Sequence, residues 1–240
     1  LFSSAGIGPL AGLLLIVPAA FTISWLMFQV LLAPLVRRAK TRDALEVDSI
    51  LATFGLLFVV QGVMLVAFGG AYYNYSYLAV PVTILGATLP VNRLLALGFA
   101  ATIGILLYLG LTRTRAGTAV RAVAADPVSA QLVAIDVRAT AAIAFALGGA
   151  LVAAGGVLVS MFLTFNANLG VVFTMKALIV VIMGGVGNML GCLVAGLILG
   201  LTETFVATWV DPGLTLAATY AIFLTALLLR PQGLFGGGGR

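Results

Sequence analysis

The sequence predicts an all-α polytopic transmembrane helical bundle with one Gly-broken or re-entrant helical segment, and three observations carry that prediction. First, 62% of the 240 residues are hydrophobic and only 8% are charged, against the roughly 25% charged residues usual in a soluble domain. A domain this small cannot hide so much apolar surface, because its exterior needs polar cover. Second, apolar stretches recur at about the 20-residue length that crosses a bilayer core. Third, these stretches do not alternate apolar and polar residues, as strands of a transmembrane barrel would. Helices are the remaining way to satisfy backbone hydrogen bonds in lipid.

In chain order the stretches are Leu10–Leu32, Ile50–Gly69, Leu94–Leu111, Ala139–Leu163, Ala177–Leu201 and Leu214–Leu229. The run from Leu10 is too long, and too far from a basic n-region, for a signal peptide. The fifth stretch is interrupted by Gly184-Gly185-Val186-Gly187-Asn188-Met189-Leu190-Gly191.

Orientation follows from the basic residues. The net charge is +5, and ten of the twelve Lys/Arg fall in three segments. Arg37, Arg38, Lys40 and Arg42 follow the first stretch, Arg113, Arg115, Arg121 and Arg138 surround the loop after the third, and Arg230 and Arg240 end the chain. Cytoplasmic loops carry such an excess, so all three segments are expected on that side. Tyr72–Asn92 is expected outside, with Tyr72, Tyr73, Tyr75 and Tyr77 as an interfacial aromatic belt. A ligand-binding role for these tyrosines is the alternative.

This orientation creates a parity problem. The fourth stretch leaves the cytoplasm and the sixth returns to it, so the chain between Thr164 and Asp211 must cross an even number of times. It is short for two full spans and a turn. Two short segments meeting at Gly184, Gly185, Gly187, Asn188 and Gly191 would solve this, and irregular backbone at membrane depth points to a translocation pathway. Close helix packing through Gly187-x-x-x-Gly191 and Gly196-x-x-x-Gly200 explains the same glycines and is the plainer reading.

Few residues could carry chemistry, and none is assigned a catalytic role. There is no His, which removes the commonest general base and metal ligand and every Ser-His-Asp arrangement. The single Cys192 lies in an apolar run, so neither a disulfide framework nor a metal cluster is expected. Gly184–Gly191 lacks the Lys-Ser/Thr that closes a phosphate-binding loop, so any ATP would be hydrolysed by another chain. No cofactor is expected. Lys176 and Glu203 flank the broken segment, and ionisable groups near the membrane are functional candidates. An interfacial position, with the Lys176 stem snorkelling outward, is the plainer account of both.

The segment 112–138 is the most informative. Asp126 suits a helix N-cap and Pro127 the first helical position. A short helix Pro127–Ile135 would align Val128, Leu132 and Ile135 along one side. Small Ala130 would let a partner approach, and Arg121 could pair with an acidic rim. Such a ridge fits a partner's groove, or lies on the membrane or on its own bundle.

Three motifs carry a resemblance to a known family. Gly117-Thr-Ala-Val-Arg-Ala-Val-Ala-Ala-Asp-Pro-Val-Ser-Ala-Gln-Leu-Val-Ala-Ile135 resembles the cytoplasmic loop of branched-chain amino acid ABC transporter permeases. Met175-Lys-Ala with Gly184-Gly-Val-Gly-Asn-Met-Leu-Gly191, and the ending Arg230-Pro-Gln-Gly-Leu-Phe-Gly236, resemble the same family; amide and urea permeases share all three. The resemblance covers most of the chain from about Leu10. It implies one permease domain over 1–240, with 112–138 as the loop that couples it to an ATPase. It also implies a second permease subunit in a heterodimer, two cytoplasmic ATPase subunits and an external substrate-binding protein, in a bacterial or archaeal inner membrane. The implied cargo is leucine, isoleucine or valine, then urea or short amides. A secondary transporter or channel without an ATPase is the alternative, as is a purely structural membrane subunit. The family places Gly where Ala134 stands, which would stiffen the turn after the coupling helix. The family's N-terminal spans are missing and the first residue is Leu1, so the expectation is a fragment or a misassigned start.

Overall fold

The computed structural model describes residues 9–38, 42–70, 72, 80–84, 87–164, 166, 169–230 and 233–235. Lys40, Tyr73, Tyr75, Tyr77, Arg240 and the side chains of Arg37, Arg38 and Arg42 lie outside what it describes. Among the described residues, six helices are long and apolar enough to cross a membrane, and a seventh apolar helix is shorter. Their large apolar side chains, such as Leu14, Phe58 and Val66, point outward, the reverse of a soluble domain. The chain divides into two compact units, Leu1–Ala167 and Asn168–Arg240.

The first unit begins with α1 (Pro9–Met27), a π-helical turn (Phe28–Leu32) and α2 (Ala33–Arg38), which run on as one apolar span over Gly12–Val36. α3 (Arg42–Phe68) follows, starting eight residues before the expected Ile50. A two-stranded hairpin, β1 (Pro81–Ile84) and β2 (Ala87–Pro90), pairs antiparallel with Val82 opposite Leu89. α4 (Val91–Arg113), α5 (Arg115–Ala125), α6 (Pro127–Leu132) and α7 (Val137–Ser160) complete the unit.

α7 packs on α1 through small residues. Ala142, Ala146, Ala150 and Ala154 recur every fourth position and are buried, which lets two backbones approach closely. A Cβ on Gly149 would meet the Ser24 side chain of α1. The π turn carries Phe28 against Phe145 of α7, ring centroids 5.8 Å apart. It also presents Gln29, whose Oε1 accepts from Arg138 Nη2 at 2.8 Å. At the start of α4, buried Asn92 donates Nδ2 to the Met161 carbonyl at 3.2 Å, tying α4 to the end of α7. α4 stops at Thr114, which turns extended and caps α5 by accepting from the Gly117 N–H at 3.1 Å. Gly117 must be Gly, since a Cβ there would lie 2.4 Å from the Gly110 carbonyl oxygen.

The second unit is α8 (Leu169–Gly184), α9 (Met189–Trp209), a 3-10 turn (Pro212–Leu214) and α10 (Thr215–Leu229). The expected stretch Ala177–Leu201, broken in its middle, is a hairpin of two helices that meet at the Gly-rich break, with wider bounds than expected. α8 starts eight residues earlier than Ala177 and α9 ends eight later than Leu201. The break itself is Gly185–Asn188, while Met189, Leu190 and Gly191 already belong to α9. Two helices thus lie between Thr164 and Asp211; α9 is long enough to cross a bilayer core, while the 16 residues of α8 reach about 24 Å against about 30 Å.

Candidate functional site

Three groupings of the expected residues emerge, and each is built by local chemistry. The first is α6 in segment 112–138. Asp126 is its N-cap: the carboxylate accepts from the Val128 N–H at 2.9 Å and from the Ser129 hydroxyl. The Ser129 hydroxyl foremost, then the Ser129 and Val128 amides, hold the Asp126 carboxyl below its ordinary range, so the cap is ionised at neutral pH. Pro127 takes the first helical position, where its missing N–H is no loss.

The helix ends at Leu132, not Ile135. Its stop is a Schellman motif: the Ile135 N–H donates to the Ala130 carbonyl at 3.2 Å and the Ala134 N–H to the Gln131 carbonyl at 3.1 Å. Ala134 occupies the left-handed position that closes this motif, with φ 61°. An L side chain there costs about 1–2 kcal/mol relative to ordinary backbone. Ala134→Gly is therefore expected to stabilise the loop by roughly 1 kcal/mol, partly offset by the greater freedom of unfolded Gly. Slower amide exchange across 127–135 would register it; unchanged or faster exchange would contradict it.

The stop changes which side chains face outward. Val128 and Leu132 are 70% and 83% exposed, and Val133 joins them at 70%. Ala130, expected to admit a partner, is 3% exposed and packs against its own unit. Ile135 is half-buried in the turn, and Arg121 is exposed. The ridge is thus Val128, Leu132 and Val133.

The second grouping is the α8–α9 turn. Gly185 and Gly187 have φ 99° and 85°, which only Gly adopts without strain. Asn188 caps α9 by accepting from the Gly191 N–H at 2.9 Å. A Cβ on Gly184 would lie 2.5 Å from the Cys192 nitrogen, and one on Gly191 would lie 2.1 Å from the Gly184 carbonyl oxygen. The two backbones are in contact at that point. The turn is also clasped by the chain's own end: the Leu234 N–H donates to the Met183 carbonyl at 2.8 Å, and Asn188 Nδ2 donates to the Phe235 carbonyl at 3.3 Å. Gly184, Gly185 and Gly191 are buried, whereas Val186 and Gly187 are exposed. The glycines therefore close one end of a helical hairpin.

The third grouping lies within the helices. Lys176 of α8 and Glu203 of α9 form an ion pair, Nζ to Oε1 2.7 Å, with Nζ also donating to Oε2 at 2.8 Å. Thr219 of α10 shares its one hydroxyl proton between Glu203 Oε1 at 2.8 Å and the Thr215 carbonyl at 2.9 Å, so all three helices of the unit meet there. The Phe173 ring centroid is 5.9 Å from Lys176 Nζ. Lys176 is seven residues beyond Leu169, Glu203 six before Trp209 and Thr219 four beyond Thr215. The cluster thus sits about 6–11 Å along these helices from the end opposite the Gly turn. The sequence had set the two ions apart as flanks of the break; the hairpin joins them. Thr219 and the clasping residues Leu234 and Phe235 were not singled out. Opposite sign was the available signal, because Lys176 and Glu203 are the only charged residues between Asn168 and Val210.

Residues 3–229 match the model of a family described as the permease component of the branched-chain amino acid transport system. The chain is 30% identical over 139 residues to the high-affinity branched-chain amino acid transport system permease protein LivH of Escherichia coli K12, covering 58% of this chain and 44% of that protein. It is 31% identical over 139 residues to BraD of Pseudomonas aeruginosa, another high-affinity permease protein, over 58% and 45% of the two chains. A probable LivH permease protein of Methanocaldococcus jannaschii is 28% identical over 137 residues, 54% of this chain and 44% of the other. Each match thus spans less than half of the relative's length. No solved structure matches the chain significantly. With its six apolar spans and a family match over nearly its whole length, this multi-pass membrane protein belongs to the permease components of branched-chain amino acid transport systems.

Proposed function

We propose that the chain acts as a permease subunit of an ATP-driven importer for branched-chain amino acids, with urea and short amides as the next cargo class. It has no ATPase role of its own in this reading. It pairs with a second permease subunit, receives cargo from an external binding protein and docks two cytoplasmic ATPase subunits. ATP binding shifts the permease between outward and inward openings through contacts that differ in the two states. The names of the relatives support the cargo class.

The observation that carries the coupling role is the ridge on α6. Val128, Leu132 and Val133 are large, apolar and exposed on a capped helix between the spans α4 and α7, flanked by Arg113, Arg115, Arg121 and Arg138. The basic residues favour the cytoplasmic side, where the ATPases reside. Burying Leu132 in a partner's groove contributes roughly 1.5–3 kcal/mol, against about 0–1 kcal/mol for an exposed pair through Arg121. Leu132→Asp is therefore expected to strip the ATPase from the purified complex and abolish substrate-stimulated ATP hydrolysis, while Arg121→Ala retains most of both. Normal ATPase retention by a correctly inserted Leu132→Asp variant would remove this loop as the coupling element. A transporter without an ATPase has no use for such a ridge, and a wild-type protein that purifies with no ATPase would favour that alternative.

A further inference from the structure

The ion pair in the second unit is out of place as a mere stabiliser. Two charges brought out of water regain by mutual attraction roughly what they lose in hydration, and an apolar pair of similar volume often holds a fold as well or better. Helices as apolar as α8, α9 and α10 carry intramembrane charge rarely, and then mostly at functional positions. The pair is also not sealed: the Lys176 and Glu203 side chains are 25% and 22% exposed. Its hydrogen-bonding capacity is not exhausted. Lys176 has three N–H donors and directs two of them at the Glu203 carboxylate, and among the described residues that carboxylate is met by Lys176 and the Thr219 hydroxyl.

We propose that Lys176 and Glu203 are a transient station for the zwitterionic head of an α-amino acid crossing the membrane. This rests on the reading of the chain as an amino acid permease. A zwitterion presents a carboxylate and an ammonium about 3 Å apart, the same charges at the same spacing as the pair itself. It enters by exchange: its carboxylate takes the Lys176 ammonium and its ammonium takes the Glu203 carboxylate. Four charges then form a closed ring, and no net charge is moved into the membrane. Thr219 holds Glu203 to α10 during the exchange, whereas Lys176 has a flexible stem and the face of Phe173 beside it, so Lys176 is the side that swings. Urea and amides, which carry no charge, have no partner for such an exchange, so the station favours amino acids over them.

The test uses the assembled importer in proteoliposomes. Lys176→Met with Glu203→Met removes both charges at similar side-chain length. The expected result is a complex that assembles with its ATPase as the wild type does but takes up leucine about tenfold more slowly or worse, as for loss of a charge-assisted contact. Wild-type leucine uptake by the double variant would overturn the proposal and leave the pair structural. Should the double variant not assemble, the exchange Lys176→Glu with Glu203→Lys decides, because it keeps an ion pair with reversed polarity. Loss of uptake in an assembled exchange variant supports the station, since Thr219 and Phe173 remain matched to the original polarity. Restored uptake, or failure of this variant too to assemble, overturns it. An assembled wild-type importer that carries no amino acid would instead refute the cargo class proposed above.

Discussion

Gly184→Leu is expected to leave almost no folded protein in the membrane. Gly184 ends α8 at the point where the backbones of α8 and α9 touch, and even its first added carbon would sit 2.5–2.6 Å from Cys192 and Gly191 backbone atoms. Backbone cannot rotate away as a side chain can, so the hairpin has to open. Opening it also draws the Leu234 N–H from the Met183 carbonyl, where the chain end is held. Overpacking in a tight core costs about 1–3 kcal/mol and more where backbone must move, a large share of a typical 5–15 kcal/mol of stability. Gly187→Ala is the contrast. Its added carbon meets nothing within 4 Å, and the penalty is limited to φ 85°, about 1–2 kcal/mol. Size-exclusion profiles of detergent extracts should show Gly184→Leu aggregated or degraded and Gly187→Ala monodisperse with a lower melting temperature. Equal profiles for the two would mean that close approach does not govern this turn.

That contrast also marks what the sequence disclosed. Length and hydropathy located the spans, because about 20 apolar residues have no other comfortable place than lipid. The start of α6 was legible from Asp126-Pro127, since a cap and a φ-fixed first residue act within four positions of themselves. Its end was not, because Ala134 takes a left-handed conformation that Gly usually marks. The break between α8 and α9 was legible from its glycines, but the outer ends of the two helices were not, because both are apolar on almost every side and no periodicity fixes them. The clasp of Met183 by Leu234 is a backbone-to-backbone bond and leaves no trace in side-chain chemistry. The β1–β2 hairpin did leave one, in β-branched Val82-Thr83-Ile84 between Pro81 and Gly86, and was overlooked in a segment read as an external loop. Thr219 left none: it is one of several threonines in these spans, and only the fold places it on Glu203.

Lys176→Met is expected to destabilise the second unit more than Glu203→Met, and the double Met variant less than either. Breaking a buried ion pair by removing one partner typically costs about 3–5 kcal/mol, because the other charge is left stranded. Here the side chains are 25% and 22% exposed, which places the loss near or below the lower bound of that range. The two survivors differ in what they can do. Glu203 is short and tied to Thr219, six residues from the end of α9, so its carboxylate stays where it is without a counter-charge. Lys176 has four methylenes and can carry its ammonium along α8 toward the nearer helix end and water. With both charges gone, neither penalty applies, and Met side chains adapt to the space that the pair occupied. Thermal melting of the four proteins in one detergent gives the double-mutant cycle, and the coupling read from it should be favourable in the wild type by more than about 1 kcal/mol. Additive losses, with the double variant the least stable, would show that the two charges do not depend on one another and that the pair seen between α8 and α9 contributes nothing to holding them together.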